Sequence, residues 1–330
     1  MGESSYNTML YVGVILLKII VIFGVVMLHV AYASYFERKV IGRMQVRLGP
    51  MVVGPYGLLQ PIADGLKLFF KEDIIPADAD KLVFYIAPII SLFAALSSLA
   101  VIPLFNGFVI ANINVGLLFI LAMSSLSSYG IIMAGWASNS KYSFLGGLRS
   151  SAQVISYEIA LGLSLVGVMI LAGSLNLTDI VRAQEKYPFG MFLIPQIIGC
   201  TIFVISGIAE TNRAPFDLPE AESELVAGYF VEYSGMRFAL FFVAEYMAMI
   251  IIAAVGIICF LGGWNGPFVI PYMPFAWFFV KLWVLLFIYY WVRATLPRYR
   301  YDHLMNLGWK VLIPLALTNI VITAIIKVLI

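Results

Sequence analysis

Long apolar runs alternate with short polar segments along the whole chain, and each run has the length that a membrane-spanning helix needs. About 20 mainly apolar residues cross the hydrocarbon core of a bilayer as an α-helix. The runs predict an all-α integral membrane protein with about eight transmembrane helices in a single domain, residues 1–330. The predicted spans are 9–35, 82–104, 113–137, 154–173, 191–209, 238–261, 274–294 and 309–329.

A different pattern between the first two spans predicts a helix that lies in the plane of the membrane interface. Its apolar positions are Ile62, Leu66, Phe69 and Phe70, and its polar positions are Asp64, Lys67 and Lys71. The two sets fall on opposite faces of a helix, which is the pattern of an interfacial amphipathic helix. Periodicity leaves two roles open: a lipid-surface anchor, or the frame of a lateral opening that admits an amphiphile from the bilayer.

The composition agrees with a lipid environment. Hydrophobic residues make up 62% of the chain and charged residues 12%, against about 45–50% and about 25% in ordinary soluble domains. A chain this apolar has too little polar surface to cover a water-soluble core of its size.

The lysines and arginines predict the orientation of the chain. Of the 20 basic residues, fifteen lie in four segments read as loops, 36–81, 138–152, 210–237 and 293–310. We call the side of the membrane that these segments face the basic side. The positive-inside rule assigns it to the cytoplasm, or to the matrix in an organelle. An even number of spans then places both termini on the opposite, outer side.

The densest polar block follows the fifth predicted span. Its carboxylates are Glu210, Asp217, Glu220, Glu222 and Glu224. Pro215 and Pro219 argue against one continuous helix, whereas a short helix after Pro219 would place Glu220 and Glu224 on one face. Carboxylates crowded near apolar surroundings should have at least one raised pKa, which suits proton uptake. The alternative is a solvated acidic loop.

Two further carboxylates fall inside predicted spans. Glu158 lies at the start of the fourth span, and Glu245 lies roughly two turns into the sixth. An ionised group within the bilayer is costly unless it is paired or neutral, so such a residue marks an ion path or a partner. The alternative is a structural ion pair, for instance with Lys281 or with a loop arginine.

These blocks, taken in order, resemble the H subunit of the proton-pumping NADH:quinone oxidoreductase, respiratory complex I. The matching stretches are ERKVIGRMQVRLGP at 37–50, GPYGLLQPIADGLKLFFKED at 54–73, GWASNSKYSFLGGLRSSAQVISYEIALGLSL at 135–165, AETNRAPFDLPEAESELVAGYFVEYSG at 209–235, FALFFVAEYMAM at 238–249 and RATLPRYRYDHLM at 293–305. The resemblance covers nearly the full length, and the 209–235 stretch is highly specific.

The resemblance implies a membrane subunit that forms the quinone-access tunnel and couples quinone reduction to proton translocation. Quinone is then the substrate, and partner subunits contain the NADH site, FMN and the iron–sulfur clusters. This chain would be a part of the translocase that is not catalytic alone, with no cofactor, metal ligand or nucleic acid bound by itself. Its partners would be the quinone-site subunits of the peripheral arm, small membrane subunits and lipid, in a bacterial inner membrane with the charged loops cytoplasmic.

Matched positions also carry expected roles. Those at the tunnel or its mouth are Arg38, Arg43, Arg47, Ala63, Asp64, Lys67, Phe70, Arg213, Phe216, Arg293 and Arg298. Those expected to couple protons are Glu158, Glu210, Asp217, Glu220, Glu222, Glu224 and Glu245.

Two other functions remain open from the sequence: the equivalent subunit of a membrane-bound nickel–iron hydrogenase, and a stand-alone proton or cation transporter. Transporters usually contain internal repeats, and no repeat is visible here. The long matching stretch 37–73 favours the quinone enzyme.

Overall fold

The described part of the chain is built from helices. The computed structural model describes residues 2–218, 228–266, 273 and 275–329, with side chains from residue 12 onward. Its α-helices are α1 (Gly2–Met44), α2 (Gln60–Phe70), α3 (Lys81–Leu99), α4 (Gly116–Ala137), α5 (Lys141–Ala172), α6 (Leu177–Gln184), α7 (Ile197–Glu210), α8 (Gly235–Phe260), α9 (Ala276–Thr295), α10 (Tyr301–Leu307) and α11 (Ile313–Leu329). A π-helical turn, Gly308–Leu312, joins α10 to α11.

Length and composition identify the membrane-crossing helices. Among the described residues, seven helical stretches are long and apolar enough to cross a bilayer: α1, α3, α4, α5, α8, α9 and the continuous run Tyr301–Leu329. Helix α7 is a shorter apolar helix of 14 residues. The prediction of an all-α membrane protein with about eight spans is therefore confirmed.

The fifth span is only partly helical. We predicted helix over 191–209, but α7 begins at Ile197, because Pro195 has no backbone N–H and disfavours a helical conformation at Ile194. A helix of 14 residues covers about 21 Å, less than the roughly 30 Å of hydrocarbon. Residues 191–196 therefore complete the crossing with irregular backbone.

Buried amide side chains satisfy the backbone around this irregular stretch. Gln184, at the end of α6, accepts hydrogen bonds from the N–H groups of Phe192 at 3.2 Å and Gly262 at 2.9 Å, and it donates to the carbonyl of Ile258 at 2.6 Å. Gln196 is hydrogen-bonded to two polar side chains of α11. The irregular stretch is thereby enclosed by protein groups.

Two helices are longer on the basic side than hydropathy predicts. We placed 36–81 and 138–152 in loops, but α1 continues to Met44 and α5 begins at Lys141. At 43 and 32 residues, these helices measure about 65 Å and about 48 Å, well beyond the hydrocarbon thickness. The apolar runs mark only the parts that face lipid, whereas the helices continue through polar residues on the basic side.

The predicted amphipathic helix is present as α2, and it packs against α1 and α8. Its apolar side chains are largely exposed, with Phe69 at 67% and Phe70 at 80% of full accessibility. Exposed apolar side chains on a polar-faced helix fit a position in the membrane interface.

Helix α8 forms the centre of the bundle, and nearly all of its residues from Tyr246 to Phe260 are buried. A neighbouring helix caps the end of α8 that lies away from the basic side. Lys281 of α9 donates hydrogen bonds to the carbonyls of Leu261 at 2.5 Å, Gly263 at 3.0 Å and Asn265. This lysine is therefore occupied by backbone oxygens at the end of α8 rather than by a carboxylate.

Two glycines of α5 test how tightly its basic-side extension is packed. A Cβ at Gly146 would lie 2.7 Å from the Cα of Gly228, whereas a Cβ at Gly162 would meet nothing within 4 Å. We expect Gly146→Ala to destabilise the protein by roughly 1–3 kcal/mol through overpacking. Gly162→Ala, the control, should be neutral or slightly stabilising because alanine favours helix. Thermal unfolding of the purified variants measures both, and equal midpoints would contradict close packing at Gly146.

Candidate functional site

A cluster of buried charges joins four parts of the chain on the basic side. We call it the charge cluster: Glu37 of α1, Arg213 after α7, Glu245 and Tyr246 of α8, and Arg293 of α9. Arg213 lies between the two acids, with Nη1 3.3 Å from Oε1 of Glu37 and Nε 2.8 Å from Oε1 of Glu245. Arg293 also pairs with Glu37.

The aromatic side chain of Tyr246 contacts both an acid and a base of the charge cluster. The hydroxyl of Tyr246 donates to Oε2 of Glu37 at 2.6 Å, and the Arg213 guanidinium lies 4.5 Å from the centre of the Tyr246 ring. Glu37 is 4% exposed and Arg213 is 6% exposed. Two carboxylates face two guanidinium groups, so the formal charges balance, with Arg293 the most exposed member at 32%.

The sequence predicted part of this cluster. Arg213, Arg293 and Glu245 were expected site residues, and the structural partner of Glu245 is the loop arginine Arg213 rather than Lys281. Glu37 and Tyr246 were missed. Glu37 follows Val30 and Ser34 at helical spacing, a signal that becomes visible once α1 is known to continue beyond its apolar run.

A cavity of about 610 Å³ lies against the charge cluster, and we call it the cluster cavity. Its charged lining comprises Glu37, Arg38, Arg47, Arg213, Glu245 and Arg293. Phenylalanines of α8 and of the preceding segment form its apolar wall. Its volume lies within the roughly 300–1,000 Å³ typical of small-molecule sites.

A second cavity of about 350 Å³ lies between α1, α2 and α8, and we call it the α2 cavity. Asp64 and Lys67 of α2 are polar members of a lining that is otherwise mainly apolar. Arg38, Phe238 and Phe242 line both cavities. The two spaces therefore adjoin and run from α2 to the charge cluster.

An ion pair spans α1 and α2 beside the α2 cavity. Arg38 Nη1 lies 2.6 Å from Oδ2 of Asp64, and the Gln60 side chain donates to Oδ1 of Asp64 at 2.9 Å. The Arg38 and Asp64 side chains are 47% and 32% exposed. A pair this exposed contributes about 0–1 kcal/mol, so it orders the mouth of the cavity more than it stabilises the fold.

The other predicted tunnel residues are less central. Ala63 lies on α2, Arg43 and Phe70 are exposed, and none of the three lines either cavity. Phe216 is buried away from both cavities, with its ring centre 5.9 Å from that of Tyr157.

Arg298 and Asp217 form a separate ion pair at 3.3 Å. Asp217 is buried, whereas the Arg298 side chain is 36% exposed. Both were predicted site residues, and the structure brings them together outside the lining of the two cavities.

Two predicted proton-coupling residues meet at the α4 serines. Ser125 donates to Oε1 of Glu158, the Ser124 hydroxyl lies 3.4 Å from the same oxygen, and Ser124 and Glu210 line one cavity. Glu158 is half-buried on α5, whereas Glu210 is the last residue of α7. The two carboxylates are close enough to repel each other when both are ionised.

A small cavity of about 50 Å³ lies against both Glu210 and the charge cluster. Its lining includes Glu210, Thr211, Asn212 and Glu245. Among the described residues, Oε2 of Glu210 and Oδ1 of Asn212 are buried without a hydrogen-bond partner. The cavity has several polar groups on its wall and is large enough for water.

Some predicted positions cannot be placed in this geometry. Glu220, Glu222 and Glu224 lie outside the described residues. In the part of the chain that the structure describes, no group of three or more histidine, cysteine, aspartate or glutamate residues is arranged to hold a metal ion.

Fold and site together define a multi-pass membrane protein whose helices enclose a charge cluster and an elongated cavity on one side. The chain matches the family described as NADH dehydrogenase over residues 17–324. It is 56% identical over 314 residues to the H subunit of NADH-quinone oxidoreductase from Paramagnetospirillum magneticum, an alignment that covers 94% of this chain and 91% of that protein.

Other relatives have the same name. The H subunit from Rickettsia typhi is 56% identical over 330 residues, covering 98% of this chain and 96% of that protein. The H subunit from Rhodospirillum rubrum is 57% identical over 301 residues, covering 89% and 88%. The chain belongs to the family of H subunits of NADH-quinone oxidoreductase, and the resemblance found in its sequence is confirmed.

Arg213 tests the energetic role of the charge cluster. Arg213→Gln removes one of two balancing cations and leaves one of the two carboxylates uncompensated, a change that typically costs about 3–5 kcal/mol. We expect a clear fall in the thermal midpoint and in the amount of assembled protein. Arg182→Gln removes an exposed arginine from a 4.0 Å pair with Asp179, and it should change stability by about 0.5 kcal/mol or less. Similar losses in both variants would contradict a structural role for the cluster.

Proposed function

We propose that this chain forms the access tunnel for quinone in NADH-quinone oxidoreductase and couples quinone reduction to proton translocation. The observation that supports the tunnel best is the pair of adjoining cavities, which leads from α2 to the charge cluster. The names of the relatives favour this function over a nickel–iron hydrogenase subunit or a stand-alone transporter.

The two cavities suit the two ends of an isoprenoid quinone. The α2 cavity has mainly apolar walls and lies beside a helix whose apolar face suits the membrane interface, so a lipid-soluble tail can enter from the bilayer. The cluster cavity has arginines on its wall, including Arg47 and Arg213. Guanidinium groups stabilise the negative charge that develops on a quinone head group during reduction.

Partner subunits supply the redox chemistry in this proposal. They bring the NADH site, FMN and the iron–sulfur clusters, and they dock on the basic side, where the cluster cavity lies. The positive-inside rule makes that side cytoplasmic and places both termini outside. The relatives come from bacteria, which supports a location in a bacterial inner membrane.

The coupling step uses the carboxylates that the structure brings close together. Reduction of a quinone to a quinol takes up two electrons and two protons, and transient negative charge acts strongly on nearby groups where water is scarce. Glu245 belongs both to the charge cluster and to the wall of the small cavity that reaches Glu210. Coupled acids redistribute their protons together, so a change at Glu245 is felt at Glu210.

The same route leads out of the chain at Glu158. Ser124 is hydrogen-bonded to Glu158 and lines one cavity with Glu210, and Glu158 is only half-buried on α5. A carboxylate on a membrane-spanning helix requires a partner or a polar path. We assign this face of α4 and α5 to contact with the membrane subunits that move protons.

A substitution that narrows the α2 cavity tests the proposed quinone tunnel. Ala31 of α1 lines the α2 cavity, so Ala31→Phe places a ring in the path of a quinone tail. We expect the KM for a long-tailed quinone to rise by roughly tenfold, equivalent to about 1.4 kcal/mol, with kcat little changed.

Leu28→Phe is the control, because Leu28 is 57% exposed on the same helix and does not line the cavity. Steady-state kinetics of the intact complex give both constants. Equal KM values in the two variants would argue against access through the α2 cavity.

The relay is tested with isosteric amides. Glu158→Gln and Glu210→Gln keep the side-chain shape but cannot exchange a proton at neutral pH, so each should lower the number of protons moved per quinone reduced. Proton uptake and NADH oxidation in proteoliposomes that contain the complex give this ratio. Glu185→Gln alters an exposed carboxylate after α6 and should leave the ratio unchanged. Normal ratios in both test variants would rule out the relay.

A further inference from the structure

The segment that follows α2 is fastened to the start of α8. We call residues 71–74 the strap. The Ser234 hydroxyl donates to the carbonyl of Glu72 at 3.3 Å and accepts from the backbone N–H of Ile74 at 3.0 Å. One residue of the strap also forms an ion pair, with Oδ2 of Asp73 2.9 Å from Nε of Arg237. Both attachments come from neighbouring positions at the beginning of α8.

Arg237 is held by more than its carboxylate. It is 8% exposed, and its guanidinium carbon lies 3.9 Å from the centre of the Tyr85 ring and 5.4 Å from the centre of the Phe84 ring. A guanidinium over an aromatic face is attracted to the ring, and its planar shape suits that contact better than an ammonium does. Arg237 therefore connects the strap with α3 as well as with α8.

Phe84, one of the two α3 rings that contact Arg237, is itself fixed in the core. Phe84 is fully buried, and the Tyr233 ring stacks on it with centres 4.0 Å apart and planes within 3°. The Tyr233 hydroxyl also donates to the Phe84 carbonyl at 3.3 Å. The packing around Phe84 thus holds in place one of the two rings that contact Arg237.

The backbone approach beside Arg237 is close. Gly235 has a φ of 54°, in the left-handed region, and a Cβ there would lie 2.9 Å from the carbonyl oxygen of Lys71. Glycine meets both requirements without steric cost. The strap and the first turn of α8 are consequently in direct contact at this point.

The same two elements form opposite walls of the α2 cavity. Helix α2 contributes Asp64, Lys67 and other residues, and α8 contributes Phe238 and Phe242, which follow Arg237 within about one and a half turns. The other ionic tie of α2, between Arg38 and Asp64, is half-exposed. The Arg237 side chain is more buried than that of Arg38, at 9% against 47% exposed, whereas the Asp73 and Asp64 side chains are similarly exposed, at 33% and 32%. The two hydrogen bonds of Ser234 support the tie through Arg237, so this tie fixes the end of α2 more firmly.

We propose that Arg237 is a positioning residue for quinone access: through Asp73 it fixes the strap, and thereby the spacing between α2 and α8 that sets the width of the α2 cavity. This inference rests on the proposed tunnel, because the cavity matters for catalysis only if quinone passes through it. Arg237 lines neither cavity and touches no reacting group. Its effect is exerted through the placement of α2.

The experiment compares Arg237→Ala, Asp73→Asn and the control Arg182→Ala in the intact complex. Hydrogen–deuterium exchange over residues 60–74 reports the fastening of α2 and the strap independently of quinone chemistry. Kinetics with a long-tailed and a tail-less quinone report access. We expect faster exchange over 60–74 in both test variants and a KM for the long-tailed quinone that is roughly three- to tenfold higher. kcat and the KM for the tail-less quinone should change little, and the double variant should resemble either single one.

The outcomes separate this inference from the proposed function. Unchanged exchange in Arg237→Ala would overturn the strap. Faster exchange with an unchanged KM would show a purely structural contact and overturn the positioning role, while the tunnel would still be judged by Ala31→Phe. If Arg237→Ala fails to assemble, Arg237→Lys keeps the charge that pairs with Asp73 but loses the planar ring contact. Arg237→Lys should then show a smaller change than expected for Arg237→Ala, in the same direction. No change in either hydrogen exchange or KM for Arg237→Lys would also overturn the proposal.

Discussion

The structure depends on the need to balance charges that are held away from water. Arg213 contacts Glu37 of α1 and Glu245 of α8, and Arg293 brings α9 to the same carboxylate. Removal of any one of these groups destabilises the fold, because a buried ion pair that loses one member leaves an uncompensated charge. The ends of three membrane helices and one connecting segment are therefore held in a fixed arrangement, and the cavities form around that arrangement.

The same groups are shared by the two halves of the proposed function. The wall of the cluster cavity includes Glu37, Arg213 and Glu245. Glu245 also lines the small cavity that reaches Glu210. Charge that appears in the cavity would change the electrostatic potential at Glu245 with little screening. In the proposed function, binding of the substrate and transfer of protons would thus be connected through one set of ion pairs.

Much of the fold follows from hydropathy, because lipid requires long apolar helices. Hydropathy does not predict where those helices end, because α1 and α5 continue through charged residues whose partners are distant in sequence. Glu37 illustrates this limit: its partners Arg213 and Arg293 lie 176 and 256 residues further along the chain. The acidic block and the charges inside spans were visible as candidates, whereas the pairing of Glu245 with Arg213 and the role of Tyr246 required three-dimensional contacts.

The short helix α7 has a consequence for the segments usually regarded as connectors. Backbone amides at membrane depth need protein partners wherever a helix does not supply them, and Gln184 supplies one for the stretch before α7. The connection that contains α6, opposite the basic side, is therefore part of the barrier between lipid and backbone. A member of this family with a shorter connection would expose peptide groups to acyl chains. The length of this connection should therefore vary little within the family, even though the connection lies far from the charge cluster.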